Sequence, residues 1–224
     1  MQEVNKYGKA CICAVQKARD AAWQLLIDQH VTEPPVNITR LCKELGIFCL
    51  TYEKGQALIH EMRLEKFTHQ DGFSVVFGKR NFVFYNAQIS PKERIRFTLA
   101  HELGHIVLGH HKQRGIFCRY KRATTNKWIL SRCSRKETQA NIFASRLLAP
   151  ACVLHALQMN SAEEIATLCG LSLQAAQIRM KRLQVLEKRN KWGTSPLERK
   201  IVEQFTPFIA QQNFKKRFDN LEGK

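Results

Sequence analysis

The residues in this chain whose types and spacing could do chemistry are His101-Glu102-Leu103-Gly104-His105. In a helix, positions i and i+4 lie one turn apart on one face, so both imidazoles can reach a single metal ion. Zinc in hydrolytic sites takes three protein ligands and keeps a fourth position for water. The ion lowers the pKa of that water to about 7, and a neighbouring carboxylate accepts its proton. Glu102, between the two histidines, is the candidate for that carboxylate. The competing reading is two histidines with ordinary surface or core roles.

A third ligand has to come from elsewhere in the chain. Glu137 to Pro150 reads as a second amphipathic helix stopped by proline, and Glu137 is its only acidic residue. Asn141 follows one turn later on the same face, in position to support the ligands. A carboxylate from a second helix would complete a His₂Glu set, which is known in catalytic zinc sites. Spacing alone explains Glu137 equally well as a carboxylate favoured at a helix start by the dipole.

Several elements must position these residues. Ser90-Pro-Lys-Glu93, Ser161-Ala-Glu-Glu164 and Ser195-Pro-Leu-Glu198 each place a Ser three residues before a Glu, the pattern of a capping box. The first predicts a helix from Ser90 to Gly109 with Leu99, Leu103, Ile106 and Val107 as its apolar face. Gly104 in its interior costs about 1 kcal/mol against Ala, which points to a close neighbour. Upstream, Asn37 to Leu45 reads as a short helix ended by Gly46, and Ile47 to Tyr52 as a strand. Gly72 to Phe77 and Phe82 to Tyr85 read as two strands joined tightly. Residues 1–30 read as a helix. The expected fold class is α+β, with a small antiparallel sheet and a mostly helical C-terminal half.

Arg96-Phe-Thr-Leu-Ala-His-Glu-Leu-Gly-His-Ile-Val-Leu-Gly-His110, Glu137-x-x-Ala-Asn-x-Phe-Ala144 and Leu147-Leu-Ala-Pro150 together resemble the ImmA/IrrE family of metallo-endopeptidases. The resemblance runs from about Val36 to Leu186. It implies a zincin-like domain with one zinc ion on His101, His105 and Glu137, and Glu102 as general base. In zincin-type peptidases the substrate pairs as a strand with a sheet edge beside the metal helix. That places Phe82, Phe84 and Asn86 as candidate substrate-binding residues. His110, Tyr85 and Tyr120 are candidates for stabilising an oxyanion. Relatives cleave helix-turn-helix repressors, so such a repressor is the implied substrate.

Composition narrows the setting. With 44% hydrophobic and 25% charged residues, the chain is not one that stays disordered throughout. The net charge of +17 is uneven: residues 112–136 hold nine Lys and Arg and no acidic residue. That segment reads either as a contact for nucleic acid or an acidic protein surface, or as a solvated loop. Eight scattered cysteines, with no C-x-x-C pair, read as free thiols in a reducing cytosol. No leader or membrane-spanning stretch is evident, so the expected location is cytoplasmic. Ile165 to Leu183 resembles a helix-turn-helix, with Arg179, Lys181 and Arg182 on its second helix. It is read either as a DNA contact or as a packing element. The tail from Ser195 reads as an amphipathic helix, by default docked on the domain.

The expected organisation is therefore an N-terminal helix (1–35), a peptidase core (36–150), a helix-turn-helix-like segment (151–190) and a C-terminal helix (191–224). The functional alternatives are a site-specific peptidase and a regulatory binding module with a structural or inactive metal site. A purely structural site would have no need of Glu102.

Overall fold

The computed structural model describes the backbone of residues 3–113, 116–118 and 127–222, and the side chains of residues 13–111 and 135–217. The chain divides into two compact units: Met1–Ala22 with Asn37–Ala144, and Trp23–Val36 with Ser145–Lys224. Helix α1 (Glu3–Asp28) leads into them.

The first unit is built on a four-stranded sheet of order β1-β3-β2-β4, formed by β1 (Ile47–Thr51), β2 (Gly72–Phe77), β3 (Arg80–Tyr85) and β4 (Ile116–Cys118). The α+β class holds, but the sheet is mixed. β2 is antiparallel to β3 and β4, whereas β1 lies parallel to β3 with Cys49 opposite Val83. Alternation of side chains marks a strand without revealing the direction of its partner. The connection from β1 to β2 holds α3 (Gln56–Glu61) and a 3₁₀ turn at Glu65–Phe67. Thr51 at the end of β1 and Gly72 at the start of β2 both lie opposite Tyr85, so β2 runs back and its turn into β3 brings β3 between them, parallel to β1.

The two faces of this sheet carry different layers. Phe73, Val75, Phe82 and Phe84 pack with Ile59, Leu64 and Phe67 on one face, with Phe73 and Phe84 ring centroids 5.2 Å apart. On the other face α4 (Lys92–Val107) packs against β2, β3 and the short helix α2 (Ile38–Glu44). Asn37 caps α2 by accepting from Arg40 N at 3.0 Å, and Gly46 at φ +67° turns the chain into β1. Helix α4 begins later than Ser90 suggested. Pro91 takes the cap position and no side chain caps it. Glu93 still falls in the first turn, where the helix dipole favours an acid.

Helix α5 (Lys127–Leu148) begins ten residues before the expected Glu137. Glu137 therefore sits inside the helix, and a helix-start role does not account for it. Gly104 of α4 faces Phe143 of α5: a Cβ there would stand 2.9 Å from the ring. Absence of a side chain at 104 lets the two helices approach closely.

In the second unit, α6 (Ala151–Ala156) packs on α8 (Leu173–Arg189) and α9 (Pro196–Glu222), and α7 (Ala162–Cys169) packs on α8. Ser161 and Ser172 cap α7 and α8 by accepting from Glu164 N and Ala175 N. Gly170, at φ +58°, makes the turn between them. The tail docks through Ile201, Phe205 and Ile209, all buried, while Lys216 Nζ donates to Leu157 O at 3.1 Å. Gln204 Nε2 donates to both Leu26 O (2.8 Å) and Val31 O (2.6 Å), which ties residues 23–36 to α9. No helix among the described residues is long and apolar enough to cross a membrane.

Candidate metal centre

Thr98 to His105 of α4 is buried without a break, so its polar side chains must find partners inside the protein. Two of them, His101 and His105, meet one residue of α5. His101 Nε2 lies 3.3 Å from Glu137 Oε2, His105 Nε2 lies 3.3 Å from Glu137 Oε1, and the two Nε2 atoms are 3.0 Å apart. One ligand atom from each residue lies within 4.8 Å of the others, a grouping that could hold a metal ion.

The proton inventory supports that reading. His101 Nδ1 is 2.9 Å from Asn141 Oδ1, and an amide oxygen only accepts, so the proton is on Nδ1 and Nε2 of the neutral ring has a lone pair. Glu137 Oε1 is buried, with His105 Nε2 3.3 Å away at poor hydrogen-bond geometry. Burial alone would raise the Glu137 carboxyl; positive charge or donated protons on the His101 and His105 side outweigh it and lower it. A carboxylate beside two facing imidazole nitrogens is a cluster of lone pairs that needs a proton or a cation at its centre. Two imidazoles and one carboxylate are a donor set that suits zinc.

Glu102, also buried, accepts a hydrogen bond at Oε2 from Ser74 Oγ of β2 at 2.6 Å. This contact was not foreseen, although Ser74 is the one polar side chain in the run Phe73 to Phe77. Of the three oxyanion candidates, His110 has its Nδ1 2.9 Å from His105 Nδ1 and its Nε2 3.2 Å from Gln139 Oε1. Burial, followed by the proximity of His105, pushes His110 down to about 4, so its ring is neutral near pH 7. Tyr85 is half-buried at the end of β3, and Tyr120 lies outside the described residues.

The expected substrate strand is not an edge. β3 is flanked by β1 and β2, and Phe82 and Phe84 are buried in the aromatic layer. Their unbroken apolar run is what a strand with neighbours on both sides requires. Asn86 lines a groove with Tyr52 and Gln88 at the ends of β1 and β3, and its Oδ1 accepts from Gln88 N. The sheet edges are β1 and β4.

Most side chains of the basic segment 112–136, with Cys118 and Cys133, lie outside the described residues. Of the described part, Lys136 turns inward and donates from Nζ to His110 O at 3.1 Å. The described cysteines Cys13, Cys42, Cys49, Cys152 and Cys169 are free thiols. In the helix-turn-helix-like pair, Arg179 is buried, with Nε donating to Ala149 O at 2.7 Å, so it is not a surface contact.

A comparison with curated proteins finds no match. The sequence model of the peptidase M78 family, described as the IrrE N-terminal-like domain, matches residues 42–181 and so spans both metal-site helices. With well over half of its length matched, the chain belongs to this family of metallopeptidases.

Proposed function

We propose that this protein is a zinc endopeptidase that cuts a helix-turn-helix repressor at one or two bonds in the cytoplasm. The observation that carries this reading is the convergence of His101, His105 and Glu137, with Glu102 buried next to His101 on the same helix. Those three residues would hold the zinc. When bound, zinc supplies Lewis acidity, polarising a peptide carbonyl and lowering the pKa of water to about 7. Glu102 accepts the proton of the attacking water and returns it to the leaving amine. Ser74, on Oε2, fixes the rotamer of that carboxylate and leaves Oε1 to face the reacting atoms. Asn141 keeps the His101 Nε2 lone pair on the ligand side. An extended substrate segment pairs with β4, an outer strand of the sheet among the described residues, which follows the turn that leaves α4.

The alternative, a binding module with a structural metal, gives a buried Glu102 no task. It also loses support from α8, whose Arg179 points inward. The test is to measure zinc in the purified protein, then incubate it with casein and with candidate repressors and map fragments by mass spectrometry. A single cut in one repressor, lost in Glu102→Gln while zinc is retained, is the expected result. Rapid, many-sited digestion of casein, or cleavage undiminished in Glu102→Gln, would overturn the reading.

A further inference from the structure

We propose that His110 is a positioning residue for the metal centre, accepting the His105 Nδ1 proton and so holding His105 in the tautomer whose Nε2 lone pair faces Glu137. Gln139 sets the tautomer of His110 in turn. This inference rests on the reading of the site as a metal centre and assigns the residues that arrange its ligands.

The assignment follows from matching donors to acceptors. His110 Nε2 lies 3.2 Å from Gln139 Oε1, an oxygen that can only accept, so a neutral His110 carries its proton on Nε2. Its Nδ1 is then a lone pair, and the atom 2.9 Å away, His105 Nδ1, has to donate to it. A neutral His105 with its proton on Nδ1 has none on Nε2, the atom 3.3 Å from Glu137. The chain Gln139, His110, His105 therefore ends in a lone pair aimed at the ligand cluster. With the Gln139 oxygen facing His110, this is the placement of protons on two neutral rings that satisfies both contacts.

The same turn of α5 supplies both ends of the arrangement. Glu137 is the ligand, and Gln139 two residues later is the acceptor for His110. Lys136, immediately before them, holds the His110 carbonyl. His110 is buried at 5% exposure, so its ring cannot exchange these partners for bulk water without opening the site. The two ligand histidines are thus keyed differently, His101 by an amide oxygen and His105 by a neutral imidazole. Outer partners of this kind orient the ring and raise the basicity of the ligating nitrogen.

The test uses the full chain and zinc itself. Affinity is measured by competition with a chromophoric chelator, and geometry by the visible spectrum of the cobalt-substituted protein. His110→Phe, which keeps a ring and removes the acceptor, should lower zinc affinity roughly ten- to a hundred-fold and shift the cobalt bands. His110→Asn, whose amide oxygen can stand where Nδ1 stood, should recover most of the loss. Wild-type affinity and an unchanged cobalt spectrum in His110→Phe would overturn the proposal. His101→Ala separates it from the underlying reading: if that variant also keeps full affinity, the metal-site assignment itself has failed. Nitrogen-15 imidazole NMR of the wild-type protein needs no substitution. It should show His110 protonated on Nε2, and a His110 protonated on Nδ1 would equally overturn the proposal.

Discussion

Two helix pairs in this chain turn ionisable side chains inward, with opposite results. Between α4 and α5, His101, His105 and Glu137 converge on one point, and Asn141 and His110 each occupy an outer nitrogen of the histidines. Around α8, Arg179 is buried with Nε bonded to Ala149 O, and its two terminal nitrogens have no hydrogen-bond partner among the described residues. Burial first, then the nearby Arg146, drives the Arg179 pKa well below its usual range. The first group is organised around something that would join it. The second is a side chain filling space at the end of α5, where it caps a carbonyl left over from the helix. Burial of charge alone does not mark a functional site, whereas convergence of unprotonated lone pairs does.

Glu137→Ala should break the first group most severely. Zinc affinity should fall by more than the roughly 10–100-fold that loss of an outer partner costs. Asp71→Ala, which removes only the Arg94 ion pair, should leave the metal content unchanged. Elemental analysis of both variants checks this, and full zinc in Glu137→Ala would remove that residue from the site.

Gly104→Ala sharpens the comparison by forcing α4 from α5 without touching a ligand. The new methyl meets Phe143, which is fully buried, and should cost about 1–3 kcal/mol, outweighing a helix-propensity gain of about 1 kcal/mol. Urea unfolding measures the stability, and the chelator assay should show weaker zinc binding.

At Arg179 the expectation differs. Arg179→Met removes a poorly satisfied buried cation while keeping its volume, so stability should stay within about 1 kcal/mol of wild type or rise. Arg179→Ala should lie about 2 kcal/mol below Arg179→Met because it leaves a cavity. Zinc binding should not change in either, and a large loss in Arg179→Met would show that the lone Ala149 contact matters more than its surroundings suggest. Smallest of all, Ile178→Lys on the exposed face of α8 should move stability by less than about 0.5 kcal/mol in the isolated protein, as read from its unfolding midpoint.

The candidate metal pair His101 and His105 was legible because helical periodicity converts an i, i+4 spacing directly into a shared face. Caps at Ser161 and Ser172 were legible for the same reason, being local. The pairing of β1 with β3 was not, because strand direction depends on a connection that packs as a unit. The strand order also undid the expected role of Phe82, Phe84 and Asn86. A run of aromatic residues marks a strand as buried but does not say which neighbours bury it. Ser74 and Gln139 reach the site from a different strand and a different helix, 28 and 29 residues from the side chains they bond, so no local pattern announces them. Family resemblance carried Glu137, whose spacing was equally consistent with a helix-start carboxylate. The structure removes that competitor by starting α5 ten residues earlier.

The clamp from Gln204 to Leu26 and Val31 has a consequence in time. Gln204 is made 173 residues after Val31, which at ribosomal speed is roughly ten to thirty-five seconds. In that interval His101, His105 and Glu137 have all left the ribosome, while Trp23, Leu25 and Leu26, buried in the finished protein, still lack α9. Vectorial synthesis thus delivers the candidate metal residues first and the Gln204 clamp on the early segment last. Until Gln204 arrives, the Leu26 and Val31 carbonyls lack the amide that joins them in the finished protein.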